Sequence, residues 1–162
     1  VSRVDILACD VAEHMGALAA QYNLPPELMR IEITETAYTG ESEAVDKLTA
    51  DLHTRGFSTY MDDFGTGQST LAMLKNVNVD VIKLDRTFVP VDGDRGRSAQ
   101  IVSSMLEMAQ SLHLPVVIEG IETNEQANML RHMGARYAQG FLYYRPMQAK
   151  DFEALLDGGN NN

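Results

Sequence analysis

Short apolar runs recur along the chain at residues 28–34 (LMRIEIT), 57–63 (FSTYMDD), 79–84 (VDVIKL), 115–119 (PVVIE) and 136–143 (RYAQGFLY). Each is rich in β-branched or aromatic residues and too short for a helix, which predicts five strands. The intervals between them carry helical spacing instead. Asp10 and Glu13 have the arrangement of a capping box that opens a helix with Val11, Met15, Leu18 and Tyr22 along one side. Val45, Leu48 and Leu52 form a second stripe that Gly56 ends, and residues 98–112 form a third, apolar at Ile101, Met105, Leu106, Met108 and Leu112. Thr123 with Gln126 predicts another capped helix, stopped at Gly134, and a last amphipathic segment spans residues 148–156.

Strands that alternate with helices of this length predict right-handed crossovers and a parallel sheet covered by helices, so the fold class is α/β. Periodicity does not separate a doubly wound sheet from a barrel. In both, function collects at the carboxyl ends of the strands. Those ends are rich in acids: Glu32 and Glu35 stand at the end of the first run, Asp62 and Asp63 of the second, Lys83 and Asp85 of the third, Glu119 and Glu122 of the fourth, with Gln139 in the fifth. Because alternate strand residues share a face, Glu32 groups with Thr34, and Lys83 with Asp85.

Several carboxylates at one mouth repel one another unless a cation joins them. Lys83 is the one cation in the strand-end set, and a hard divalent ion resolves the remainder, since carboxylate and amide oxygens suit Mg²⁺ or Mn²⁺. One member of the adjacent pair Asp62 and Asp63 can bridge two metals while its neighbour binds one, a means of activating water against a phosphodiester. Taken singly, these residues have plainer readings: a turn or cap for the Asp pair, a helix-dipole role for Glu122, loop ordering for Glu35. The coincidence of five strand ends favours a site.

Composition narrows the picture. Apolar residues at 44% and charged residues at 22% of 162 describe an ordinary globular domain. A net charge of −10 argues against a nucleic-acid polymer as partner. No apolar run reaches the roughly 18 residues of a membrane span, no basic-then-apolar leader opens the sequence, and the single Cys9 forms no internal disulfide. Cys9 is expected to be a buried or neutral structural thiol, and the location to be cytoplasmic. The four histidines fall away from the strand ends and read as surface or satisfied side chains. No linker divides residues 1–157, so they are expected to be one unit, with residues 158–162 a disordered tail.

The ordered strings RIEITET, MDDFGTGQSTL, VDVIKLDRTFV, VVIEGIET and AQGFLYYRPM resemble the EAL domain family over about residues 1–156. The resemblance implies a TIM-like (β/α)8 barrel, here incomplete, that hydrolyses cyclic-di-GMP to pGpG with Mg²⁺ or Mn²⁺. It implies metal-ligand roles for Glu32, Asp62, Asp63 and Glu119, with Asp62 the bridge. Lys83 would contact the attacking water or the phosphate, and Glu119 or a neighbouring carboxylate, Asp63 among them, would assist proton transfer. Gln139 would line the mouth, Glu122 would support the site, Glu35 would hold the glycine-rich loop, and Asp85 and Arg86 would stand on the substrate side.

In that loop the family usually has an aromatic where Gln68 stands and a serine where Thr70 stands, a departure that bears on loop packing and on dimer coupling. The family's Glu-Ala-Leu motif, with its glutamate ligand and nearby arginine, and a further asparagine ligand are absent from this sequence and would lie before Val1. The chain is therefore expected to be the later part of such a domain, active with the earlier strands present, as a homodimer and behind a sensor or GGDEF domain. The competing expectations are an EAL module that binds the nucleotide or a protein without cleavage, and an unrelated barrel enzyme of the enolase kind.

Overall fold

The computed structural model describes residues 1–40, 42–66, 74, 77–89 and 96–158. Five strands form one parallel sheet in chain order: β1 (Arg30–Thr34), β2 (Ser58–Phe64), β3 (Val81–Leu84), β4 (Val116–Ile118) and β5 (Tyr137–Ala138). The helices are α1 (Arg3–Ala8), α2 (Val11–Gln21), α3 (Glu35–Gly40), α4 (Ser42–Thr54), α5 (Arg97–Ser111), α6 (Asn124–His132) and α7 (Ala149–Gly158).

One face of the sheet supplies the core. Ile31, Ile33, Met61, Ile82, Leu84 and Ile118 are buried in one cluster with Val45, Leu48 and Leu52 of α4, Val102 and Leu106 of α5, and Leu130 of α6. Residues at period two in the strands meet residues at period three to four in the helices, as the hydrophobic pattern requires. On the other face the register sets Glu32 beside Tyr60 and Thr34 beside Asp62. Beyond β1, the Thr34 N–H donates to the Val1 carbonyl at 3.0 Å, and the Val1 ammonium donates to the Glu32 carbonyl at 2.6 Å.

Four helices stop in the same way. Asn23, Gly56, His113 and Gly134 take left-handed φ values of 50°, 87°, 59° and 95° after α2, α4, α5 and α6. In each case the next N–H reaches back into the last turn: Leu24 to Ala19, Phe57 to Leu52, Leu114 to Ala109 and Ala135 to Leu130, at 2.9–3.1 Å. These bonds satisfy carbonyls that a helix end otherwise leaves unpaired. The two glycine stops are as expected, whereas Asn23 and His113 carry a Cβ in a region where it is unfavourable. His113→Gly is expected to raise stability by about 1 kcal/mol in urea denaturation.

The capped starts of α2 and α6 are also present. The Glu13 N–H donates to Asp10 Oδ1 at 2.9 Å; at α6 the Gln126 N–H donates to the Thr123 hydroxyl, and Gln126 Oε1 accepts from the Thr123 N–H. At the amino-terminal ends of β2 and β3, His53 Nε2 lies 2.9 Å from the Thr59 hydroxyl and 3.0 Å from Asp80 Oδ2, a clamp between α4 and the sheet. His53 is thus a satisfied side chain, as the sequence suggests.

Three expectations need correction. The fifth strand is two residues long rather than the run 136–143, because after Gly140 the chain turns and the Leu142 N–H goes to the Ile121 carbonyl at 2.9 Å. Gly158 closes α7 instead of opening a tail, while residues 159–162 lie outside the described residues. Cys9 is exposed, its thiol donating to the Asp5 carbonyl at 3.4 Å. Among the described residues no helix is long and apolar enough to cross a membrane.

Candidate metal centre at the strand ends

A normal strand points neighbouring side chains to opposite faces, so Asp62 and Asp63 would ordinarily diverge. Here the pairing of β2 with β3 slips between Met61 and Phe64, and Asp63 adopts a φ of 57°. The bulge turns both carboxylates to one side. Oxygens of Asp62, Asp63 and Glu119 then lie within 4.8 Å of one another.

Lys83 organises the same face from β3. Its ammonium is 2.7 Å from Glu32 Oε1, 2.8 Å from Asp62 Oδ1 and 2.8 Å from Glu119 Oε1. The residue is 5% exposed. Burial pulls the lysine pKa down, but the hydrogen bonds to Asp62, Glu119 and Glu32 more than reverse this, and the pKa stands above the ordinary lysine range. Lys83 is therefore a fixed cation joining three strands. The Asp63 pKa is raised by burial and by the charges of Asp62 and Asp85, despite Lys83. A carboxyl raised by like charges is one that an added cation would stabilise in its ionised form.

Glu35 sits at the head of α3, 1% exposed, and its Oε2 accepts the Gly65 N–H at 2.7 Å. It thereby anchors the chain as it leaves the bulge. Gly67, Gln68 and Thr70 lie outside the described residues. Glu35→Ala removes a buried charged acceptor from a part-buried donor, so it is expected to cost about 2 kcal/mol. Faster hydrogen exchange at the Gly65 amide, alongside the loss in urea denaturation, would check the assignment.

The remaining residues surround the centre. Asp85 caps the short turn Arg86–Phe88 by accepting the Thr87 N–H at 2.8 Å. A cavity of about 350 Å³ is lined by Asp85, Arg86, Glu119, Glu122, Gln139 and Phe141. Gln139 is held by its N–H to the Ile118 carbonyl at 2.8 Å, and Glu122 precedes the Thr123 cap, its N–H donating to Gln126 Oε1 at 2.9 Å. All ten residues singled out in the sequence thus stand at one end of the sheet, in three groups: the Lys83 cluster with Asp63, the Glu35 anchor, and the cavity wall. Sequence reasoning missed the bulge, the triple pairing of Lys83, and Phe141 and Gly140 in the wall. An Asp-Asp pair with a glycine two residues on, Gly65, was the available sign of the bulge.

The donor set fits a hard divalent ion: the clustered ligands are carboxylates, and no histidine or cysteine joins them among the described residues.

Comparison with known proteins agrees with this geometry. The EAL domain model matches residues 5–146, well over half of the chain. The chain is a member of the EAL domain family. The cyclic di-GMP phosphodiesterase RocR of Pseudomonas aeruginosa is 38% identical over 148 residues, 91% of this chain and 38% of RocR. The crystal structure of the EAL domain of Mycobacterium smegmatis DcpA superposes with a TM-score of 0.90 at 33% identity, covering 98% of this chain and 71% of that one. A Klebsiella pneumoniae BlrP1 manganese/cy-diGMP complex superposes with a TM-score of 0.80 at 30% identity, over 88% of this chain and 37% of that one. The chain therefore has the EAL, TIM-barrel type of strand-and-helix arrangement over most of its length, and spans well under half of the curated relative.

Proposed function

We propose that this chain supplies the metal-holding strands of a site that hydrolyses cyclic-di-GMP to pGpG with Mg²⁺ or Mn²⁺, in a cytoplasmic setting. The observation that carries the reading is the convergence of Asp62, Asp63 and Glu119 within 4.8 Å, beside a lysine paired with Glu32, Asp62 and Glu119. That RocR is a cyclic di-GMP phosphodiesterase, and that BlrP1 forms a manganese complex with this nucleotide, supports the substrate and the metal.

Glu32, Asp62, Asp63 and Glu119 would hold the ions. Bound divalent ions lower the pKa of water and stabilise the leaving oxygen of a phosphodiester. Lys83 keeps its carboxylate partners in place and would set a positive charge beside the phosphate. Glu119, 2.8 Å from that ammonium, would take a proton from the nucleophile. Arg86, Glu122 and Gln139 line the cavity next to Glu119 and would orient the nucleotide.

Incubation with cyclic-di-GMP and Mn²⁺, followed by chromatography for pGpG, tests the reading on this chain and on a version carrying the family's Glu-Ala-Leu segment ahead of Val1. The longer version is expected to form pGpG, and Asp62→Asn or Glu119→Gln to reduce the rate by about a thousandfold or more. Nucleotide binding without pGpG in either version would select a non-cleaving EAL module instead.

A further inference from the structure

At the amino-terminal ends of β4 and β5, away from the carboxylates, a cavity of about 520 Å³ opens between the second half of α5 and the loops entering the two strands. Its size lies within the range of small-molecule sites. Leu106, Val116 and Met133 give it apolar walls, and Glu107, Gln110 and Arg136 place polar groups around them.

The charges in this cavity do not neutralise one another. Among the described residues Arg136 has no hydrogen bond or ion pair. Among the described residues the Glu107 carboxylate meets only the Ser103 hydroxyl, at 3.4 Å. The carboxyl termini of α5 and α6 both reach this region, and a bare helix end there would repel an anion. Both ends are capped, however, by the Leu114 and Ala135 N–H groups. The recess thus sets one arginine, Arg136, and one carboxylate, Glu107, on an otherwise largely apolar lining.

We propose that this cavity binds a guanine mononucleotide: the base between the apolar walls with its adjacent N–H donors on Glu107, and the phosphate on Arg136. Arginine matches phosphate geometry through paired N–H groups, and a carboxylate accepts two N–H bonds side by side. Adenine lacks the paired donors, so the site would distinguish the two purines. Such a site stands apart from the strand-end centre and does not depend on the reaction proposed there.

The test uses the chain labelled with ¹³C at methionine methyls, without divalent metal, titrated with GMP, AMP and inorganic phosphate. The Met133 methyl is expected to shift saturably with GMP, with AMP about tenfold weaker and phosphate without effect at the same concentration. Glu107→Gln should bring GMP down to the AMP level, and Arg136→Ala should weaken both nucleotides about tenfold, with Arg136→Lys between. Thermal melts of each variant verify folding. Asp62→Asn, which alters the strand-end centre, should leave the Met133 titration unchanged. No saturable Met133 shift with GMP, equal binding of GMP and AMP, or binding that survives both substitutions overturns the proposal.

Discussion

Lys83→Met, measured by urea denaturation in EDTA, is expected to lower stability by about 4 kcal/mol, the scale for removing one partner from a buried charge group. The lysine side chain is 7% exposed and its three partners are carboxylates from β1, β2 and the end of β4. Without it, Glu32, Asp62 and Glu119 keep their negative charges at one mouth with no cation among them. Glu32 is 46% exposed and finds water, so most of the cost falls on Asp62 and Glu119, at 21% and 19%. The substitution is close in volume, which separates charge from packing. A second measurement makes the outcome specific. Mn²⁺ should restore part of the loss, by about 2.7 kcal/mol at a hundredfold excess over its dissociation constant, because a cation again joins the acids. Equal stability of variant and parent in EDTA would mean that solvent already screens the carboxylates, and would remove Lys83 as the organiser of the centre.

The carboxylates were legible in the sequence because strand ends announce themselves: a short β-branched run, then a charged or amide residue, five times in order. Helices α2, α4, α5 and α6, which the sequence predicts, appear within a few residues of their expected bounds, since their apolar faces meet one shared core. What was not legible required the third dimension. Strict alternation would set Asp62 and Asp63 on opposite faces; only the slipped register and the positive φ of Asp63 bring them together. The sequence reading offered Lys83 as a group that meets water or phosphate, whereas its contacts are with carboxylates on three different segments, a long-range convergence that no local pattern encodes. The run RYAQGFLY looks like a strand by composition, but backbone contact at Gly140 ends the pairing after Ala138. The left-handed stop at His113 was hidden for a similar reason, because histidine is not the residue that such a position favours.

Gly140→Ala is expected to destabilise the chain by about 3 kcal/mol, at the upper end of ordinary overpacking. A Cβ at this position would fall 2.1 Å from the Ile121 carbonyl oxygen and 2.3 Å from the Ile121 nitrogen. Both are backbone atoms, so no side chain can rotate away to make room. Relief requires the turn after β5 to separate from the segment that follows β4. That segment is tied by three bonds across the contact: Gln139 N–H to the Ile118 carbonyl at 2.8 Å, Ile121 N–H to the Gln139 carbonyl at 3.1 Å, and Leu142 N–H to the Ile121 carbonyl at 2.9 Å. Ile121 is itself fully buried, which limits how far it can move. The consequence reaches the centre, since Glu119 and Glu122 flank this segment and Gln139 faces the same cavity. Amide exchange should therefore accelerate at Ile121, Gln139 and Leu142 together, while amides of β1 and β2 keep their protection. Mn²⁺ binding should weaken through displaced Glu119, with Asp62 and Asp63 untouched. A variant that melts with its parent and protects all three amides would show that the close approach at Gly140 is not needed to join β5 to the sheet.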